Sequence, residues 1–340
     1  MWLADNWTDY ELLDCSGGEK LERWGRYVLV RPEPQAIWRT PRTHPRWQNP
    51  DARYERSQSG GGRWIKGRLP DNWQVGYGKY TFNVSLMNFK HTGLFPEQAA
   101  NWEYISEMLR LANREISVLN LFAYTGGATV AAAATGARVC HVDAARGMIL
   151  RAKDNLRASG LEDKPVRWIV DDCAKFVERE IRRGRKYDAL IMDPPSYGRG
   201  PSGEVWKLED GLYDFLGLCT GVLSDDPLFV LINSYTTGLS PSTLTYITRS
   251  LLGGCAQSRE LGLPVAGRRV TAQGPQAGDQ GPQAVDRGLQ AGDQGLQAGD
   301  QELIVEECEA ATGKVASGDC CGRAFALPCG ATCRWTPGGA

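Results

Sequence analysis

The chain of 340 residues contains no apolar run of 18 residues, and no basic segment followed by an apolar stretch opens it. A membrane span and a secretion signal are therefore not expected. Histidine is scarce: His44, His91 and His141 stand apart from ligand-spaced partners, so no metal is expected at a reacting centre. Gly-x-x-x-x-Gly-Lys-Ser/Thr does not occur, which excludes a P-loop phosphate cradle. The loop at Ala123 to Gly127 also lacks a full Gly-x-Gly-x-x-Gly, which argues against a nicotinamide oxidoreductase. Neither sign of charge is in excess, with 39 Lys and Arg against 40 Asp and Glu. Net charge thus announces no polyanion partner, although a local basic patch can still bind one.

Hydrophobic residues make up 42% of the chain, enough for one large domain or two ordinary ones. Ten cysteines are present. Cys15, Cys140, Cys173, Cys219 and Cys255 are scattered, several in apolar surroundings, as expected of reduced thiols in a cytoplasmic protein. Cys308, Cys320, Cys321, Cys329 and Cys333 cluster late but lack the paired C-x-x-C spacing of a zinc ribbon. Seven of the eleven tryptophans (Trp2, Trp7, Trp24, Trp38, Trp47, Trp64 and Trp73) fall within residues 1–73, among many arginines. Such residues stack on bases, but a small domain with tryptophan in its core gives the same count.

The stretch Ile116 to Gly127 organises the chain. An apolar run, Ile-Ser-Val-Leu-Asn-Leu-Phe, breaks into Ala-Tyr-Thr-Gly-Gly, and helix-forming residues 128–134 follow at once. Strand, tight loop and helix open a nucleotide-binding α/β sheet. The glycine pair lets backbone approach a ligand where a Cβ would clash. Alternating segments follow: strands at 138–142, 166–170, 187–192 and 228–232, with helices at 145–158, 173–182, 204–222 and 241–252. A mainly parallel sheet covered on both faces is expected. Asp172 is a candidate N-cap for the helix from Cys173. Before the sheet, 26–30 and 74–84 read as strands, 39–63 as loop, and Pro96 opens a helix whose apolar face carries Trp102, Ile105, Met108 and Leu109. Residues 1–95 thus form a small mostly-β or α+β region, and 96–340 a second domain.

Four seven-residue copies run from 273 to 300, each with Gly at its second position. They cannot build a coiled-coil seam, so about 271–322 reads as a flexible insert. The flanking stretches 260–264 and 323–335 read as an antiparallel hairpin that the insert interrupts, at small cost in loop entropy.

The expected strand ends are Ala123 to Gly127, Asp143, Asp171-Asp172 and Asp193-Pro-Pro-Ser-Tyr197. In an open parallel sheet these share the edge where ligands bind. Asp143 can accept both hydroxyls of a ribose. Few glycines mean little need for a diphosphate seat, which suits S-adenosylmethionine. Trp206, beyond a glycine-rich loop with Lys207, reads equally as a substrate wall or as a helix packing residue.

These residues resemble the class I S-adenosylmethionine-dependent methyltransferases, within them the bacterial ribosomal-RNA large-subunit methyltransferase branch. The likeness rests on Leu119-Asn-Leu-Phe-Ala-Tyr-Thr-Gly126, Val142-Asp143, Ala152-Lys-Asp-Asn-Leu156, Asp193-Pro-Pro-Ser-Tyr197 and the lead-in Lys90-His-Thr-Gly-Leu-Phe-Pro-Glu-Gln98. It implies a Rossmann-like sheet with a C-terminal antiparallel hairpin. It further implies Asn120, Phe122, Tyr124, Thr125 and Gly126 at the methionine end of the cofactor, Asp143 at the ribose, and Asp171 or Asp172 with Cys173 at the adenine edge. Asp193, Pro194, Pro195 and Tyr197 would line the transfer site, with Lys90, Gln98, Trp206 and Lys207 toward the substrate. The implied substrate is RNA, with a front region, 1–95, that recognises it. Residues 1–70 do not resemble the compact RNA-binding module common in that branch. Cytosine-5 enzymes of this look need a cysteine after strand four or five, where this chain has Pro195-Ser196 and Asn233-Ser-Tyr235. A base nitrogen is therefore the expected acceptor. Alternatives are a small-molecule or protein methyltransferase, or a non-catalytic RNA-binding protein on the same fold.

Overall fold

The computed structural model describes residues 1–57, 61–88, 90–199, 205–236, 238–269 and 324–338. The seven-residue repeats and the insert expected around them lie outside these. The first strands are β1 (Trp2–Leu3), β2 (Tyr10–Ser16), β3 (Glu19–Trp24), β4 (Tyr27–Pro32), β5 (Ala52–Arg56) and β6 (Gly62–Lys66), followed by the hairpin β7 (Trp73–Tyr77) and β8 (Tyr80–Val84). Strand β5 corrects the expectation of a loop over 39–63. Arg53 and Glu55 alternate with the buried Ala52 and Tyr54, so half the strand reads as polar. A 3-10 turn at Pro45–Trp47 also lies in that stretch.

Helix α1 (Ala99–Leu111) leads into β9 (Ser117–Leu121), α2 (Gly127–Ala133), β10 (Arg138–Asp143), α3 (Arg146–Ala158), β11 (Val166–Val170), α4 (Cys173–Arg182) and β12 (Ala189–Met192). A two-stranded antiparallel ribbon comes next, β13 (Tyr197–Arg199) and β14 (Val205–Lys207), then α5 (Leu208–Thr220), β15 (Phe229–Ser234), α6 (Pro241–Leu252), β16 (Cys255–Arg269) and β17 (Ala324–Thr336). The ribbon corrects the expected start of a helix at Glu204. The helix begins at Leu208, the first side chain there to be fully buried.

The sheet runs β11-β10-β9-β12-β15-β17-β16. Its first five strands are parallel, and β17 lies antiparallel to β15 from Val230↔Trp335 to Ser234↔Ala331. The order reverses at β9, which has β10 on one side and β12 on the other; such a switch point opens a crevice at the carboxyl ends of the strands. Strand β9 is buried on both faces. Val118 joins the α1 and α2 side of the core, with Ile105, Val130 and Ala131, while Leu119 joins Phe176, Leu212 and Phe215 on the other. Two-sided burial explains the predominantly apolar runs of β9, β12 and β15.

Beyond β16 the same sheet continues through β2, β3, β4, β5 and β6, joined where Val265 pairs with Leu12. The front tryptophans pack in this part. Trp24 and Trp47 are buried, Trp7 lies 6.0 Å from Trp102 ring to ring, and Trp38, Trp64 and Trp73 are half-buried. Of the two readings of these tryptophans, the core one describes their positions. Beneath them sits an ionic cluster. Glu22, with no exposed surface, takes Arg31 Nε at 2.6 Å and Nη2 at 2.7 Å, and the Tyr10 hydroxyl at 2.7 Å. Lys20 lies 3.6 Å from Glu22 and 3.2 Å from Glu33.

Candidate active site at the carboxyl edge

The loop leaving β9 is strained. Phe122 and Tyr124 hold φ of 54° and 51°, and Gly126 follows at 83°. Left-handed backbone at a residue other than glycine costs about 1–3 kcal/mol and survives only where neighbours over-determine it. They do so here. Phe122 N donates to Cys173 Sγ at 3.3 Å, and Tyr124 N donates to Asp143 Oδ2 at 2.9 Å. Thr125 is held on both sides, its hydroxyl donating to Gly93 O at 2.6 Å and its carbonyl accepting from Asn155 Nδ2 at 2.8 Å. The glycine pair serves packing as well as shape. A Cβ at Gly127 would lie 2.6 Å from the Trp102 indole, and one at Gly126 would lie 2.9 Å from Ala152 Cβ. The atoms those Cβ groups would meet belong to α1 and α3.

The loop walls a cleft with a void of about 490 Å3, open to solvent. Asn120, Phe122, Tyr124, Thr125, Gly126, Gln98 and Asp193 all line it, so the structure brings these expected site residues together. Phe95, Asn101 and Asn233 complete its polar and aromatic wall. Asn120 is buried and donates to Thr129 Oγ1 at 2.9 Å, which in turn lies 2.8 Å from His141 Nδ1. Burial pushes His141 down to about 3, so the imidazole is neutral.

Asp143 stands one bond behind the loop. Its Oδ1 accepts from Ala145 N at 2.8 Å, and its Oδ2 accepts from Tyr124 N. Each carboxylate oxygen has two lone pairs, so one on each remains for a diol. Burial raises its pKa, and the two amides oppose that rise. Asp172 caps α4, accepting from Lys175 N at 3.0 Å, as its position after β11 suggests. Asp171 is paired with Arg179 and accepts from Asp172 N. Cys173 is buried beneath Phe122, its thiol pushed up to about 12 by burial. These three lie at the next strand end, outside the cleft wall.

Asp193 follows β12 and faces the cleft. Burial, then the negative charge of Glu97, push its carboxyl up to about 7. Pro194 is buried and Pro195 exposed, and Pro195 O accepts from Trp206 Nε1 at 2.7 Å. Trp206 also packs against Phe122 and Phe215, ring centroids 6.3 and 5.9 Å away. It is at once part of the ribbon over the Pro-Pro step and a packing residue for α5. Tyr197 and Lys207, opposite each other in the ribbon, are exposed. Lys90 points elsewhere: its ammonium donates to Pro32 O at 3.0 Å, and burial lowers its pKa.

Asn233 and Asn101, which line the cleft, and Tyr235, which packs on the cleft residue Phe95, escaped the sequence reading. The positions after β15 were tested only for a cysteine nucleophile, although a fifth strand end on the same edge is itself a signal. Asn101 carries none, since it sits on the packing face of α1.

The family profile described as S-adenosylmethionine-dependent methyltransferase matches residues 36–206. The solved structure of the SAM dependent methyltransferase from Agrobacterium tumefaciens is similar over 98% of this chain and 92% of that one, with 34% identity and a TM-score of 0.78. The ribosomal RNA large subunit methyltransferase K/L of Syntrophotalea carbinolica is 30% identical over 183 residues, 53% of this chain and 25% of that protein. Its counterpart in Shewanella frigidimarina is 29% identical over 155 residues, 45% and 21% of the two chains. The matched stretch is therefore a quarter or less of these longer relatives.

Proposed function

The chain belongs to the S-adenosylmethionine-dependent methyltransferases, an enzyme family with S-adenosylmethionine as cofactor, and on that premise we propose that it methylates a nitrogen of an RNA base, most naturally in ribosomal RNA. The observation that carries this reading is Asp193, a carboxyl with a raised pKa on the wall of the cleft formed by the strained loop. The curated relatives, named as ribosomal RNA methyltransferases, support RNA as the substrate class.

The cleft fits the cofactor on its own terms. It has apolar and aromatic walls, and behind the loop that walls it Asp143 carries a carboxylate with spare lone pairs. Bound there, S-adenosylmethionine supplies an electrophilic methyl group. On this reading Asp143 holds the ribose and the loop from Asn120 to Gly126 holds the amino-acid end. Pro194 and Pro195 fix an extended backbone, so Asp193 is held toward the acceptor. A base nitrogen is already a nucleophile, and the protein's part is orientation and exclusion of water. Asp193 takes the proton that the acceptor releases, a role suited to a carboxyl with a pKa near neutrality. Cys173 and Cys219 are buried, with thiols raised by burial, and neither is poised as a thiolate nucleophile. The cytoplasm, where buried thiols stay reduced, is the compartment that goes with this reading.

Transfer of labelled methyl from S-adenosylmethionine to total RNA, to protein and to a small-molecule extract tests it, with Asp143→Ala (D143A) alongside. Label is expected in a ring or exocyclic nitrogen of a digested nucleoside, with cofactor affinity about tenfold or more weaker in the variant. Label in 5-methylcytidine would overturn the mechanism. Label confined to protein or extract would overturn the substrate class.

A further inference from the structure

In the wall of the cleft lies a set of side-chain amides whose orientation is dictated from one end. Arg334 is half-buried between Trp2 and Tyr104, its guanidinium carbon 3.9 and 4.5 Å from their ring centroids. Its Nη2 donates to Asn101 Oδ1 at 3.1 Å. A guanidinium only donates, so the oxygen of Asn101 must face it. The Nδ2 of Asn101 then points the other way, donating to Gln98 Oε1 and to Asn233 Oδ1, both at 3.0 Å. Asn233 Nδ2 donates to the same Gln98 oxygen at 3.0 Å. With its oxygen taken twice, Gln98 has only its Nε2 to turn toward Tyr235, and it donates to the Tyr235 hydroxyl oxygen at 2.8 Å.

Asn101, Gln98 and Asn233 are all buried. Flipping any one amide would set donor against donor away from water, an arrangement proteins avoid. The Tyr235 oxygen is thus an acceptor within the protein, and its own hydrogen finds no acceptor among the described residues. Burial and the negative charges of Glu97 and Asp193 keep that hydroxyl protonated. The ring is held by Phe95, a cleft residue, with centroids 5.4 Å apart and planes 33° apart.

We propose that Tyr235 is a specificity residue: its hydroxyl, aimed by the relay Arg334–Asn101–Gln98, donates to a hydrogen-bond acceptor of the methyl-accepting molecule, a carbonyl oxygen or an unprotonated ring nitrogen beside the nucleophile. This rests on the reading of the cleft as a site of methyl transfer to RNA. Asp193 and Tyr235 then form a pair of opposite polarity, one taking a hydrogen from the substrate edge and the other giving one. Arg334, Asn101 and Gln98 are positioning residues that act through Tyr235.

The test measures methyl transfer against RNA concentration, and cofactor affinity by calorimetry, for the full chain and for Tyr235→Phe, Gln98→Glu and the double variant. Tyr235→Phe keeps the ring and its stacking, and is expected to lose about tenfold in kcat/KM for RNA, mainly through KM, with cofactor Kd within twofold. In Gln98→Glu the new carboxylate takes the Tyr235 hydrogen, so a loss of similar size is expected. The double variant should be no worse than the poorer single one. An unchanged kcat/KM in Tyr235→Phe, losses that multiply in the double variant, or a parallel loss of cofactor affinity would each overturn the proposal while leaving the reading of the cleft in place. If the unsubstituted chain transfers no methyl to RNA, that reading fails and the proposal falls with it.

Discussion

Strands β2 to β6 share one sheet with β9, β12 and β15, yet the two sets bury opposite kinds of chemistry. Strands β9, β12 and β15 fill both faces mainly with Val, Leu, Ile, Met and Phe, and their buried polar side chains, among them Asn120 and Asn233, are uncharged. Strands β3 and β4 bury Lys20, Glu22 and Arg31, a set that is stable only while every member is present. The difference divides labour. An apolar sheet can be stiff enough to hold a strained loop at its edge, as β9 holds Phe122 and Tyr124. A buried ionic set specifies how strands fit together, and a single lost partner leaves a charge with no water to receive it.

Glu22→Ala should show this most strongly. It strands Arg31 and Lys20 in the interior and is expected to destabilise the fold by about 3–5 kcal/mol, read by denaturant unfolding, although Glu22 lines no part of the cleft. The same carboxyl is held down to about 2, against 4.5 for the ordinary group, by Arg31 and Lys20 acting against the cost of burial. A depressed carboxyl contributes stability that is present above about 4.5 and is lost as pH falls toward about 2. The unsubstituted chain should therefore be acid-labile in that window, and the variant much less dependent on pH there. Equal acid lability in both would break the contrast between the regions.

Asp193→Asn reverses the pattern, with chemistry lost and the fold kept. Methyl transfer is expected to fall about 100-fold, and the rise of activity with pH through about 7 should vanish. Stability has the opposite sign to Glu22. A carboxyl raised from 3.8 to about 7 holds its proton in the fold, so its contribution is present at low pH and is lost as pH climbs through that interval. Removing the group should flatten this slope, as thermal melts across pH 4 to 8 would read. A smaller effect is expected of Trp206→Phe. It loses the indole donation to Pro195 O but keeps an aromatic ring beside Phe122 and Phe215. About 1 kcal/mol in acceptor KM, with cofactor affinity and melting temperature unmoved, would place the ribbon on the substrate side alone.

The same contrast explains which parts were legible in the sequence. The apolar runs of β9, β12 and β15 led to the parallel sheet, the stretches 260–264 and 323–335 to the hairpin, and the glycine pair with the acidic strand ends to the ligand edge of the sheet. Strand β3, Glu-Lys-Leu-Glu-Arg-Trp, looks like solvated surface because its charges answer one another inside the protein. The ribbon β13–β14 was read as loop and helix because three-residue strands carry no period. Lys90 was assigned to the substrate side by its place in a motif, whereas its ammonium is tied to Pro32.

The sequence by itself determined the mainly parallel sheet and the tight glycine loop after β9, because apolar runs and a glycine pair are written in neighbouring residues. Only the tertiary structure decided how Arg334, Asn101, Gln98 and Tyr235 address one another, since they come from three elements and a loop, some more than 130 positions apart. Hydrogen bonds have direction, and the direction of a buried amide is set by whatever the fold brings to its other side. No local pattern of residues carries that information.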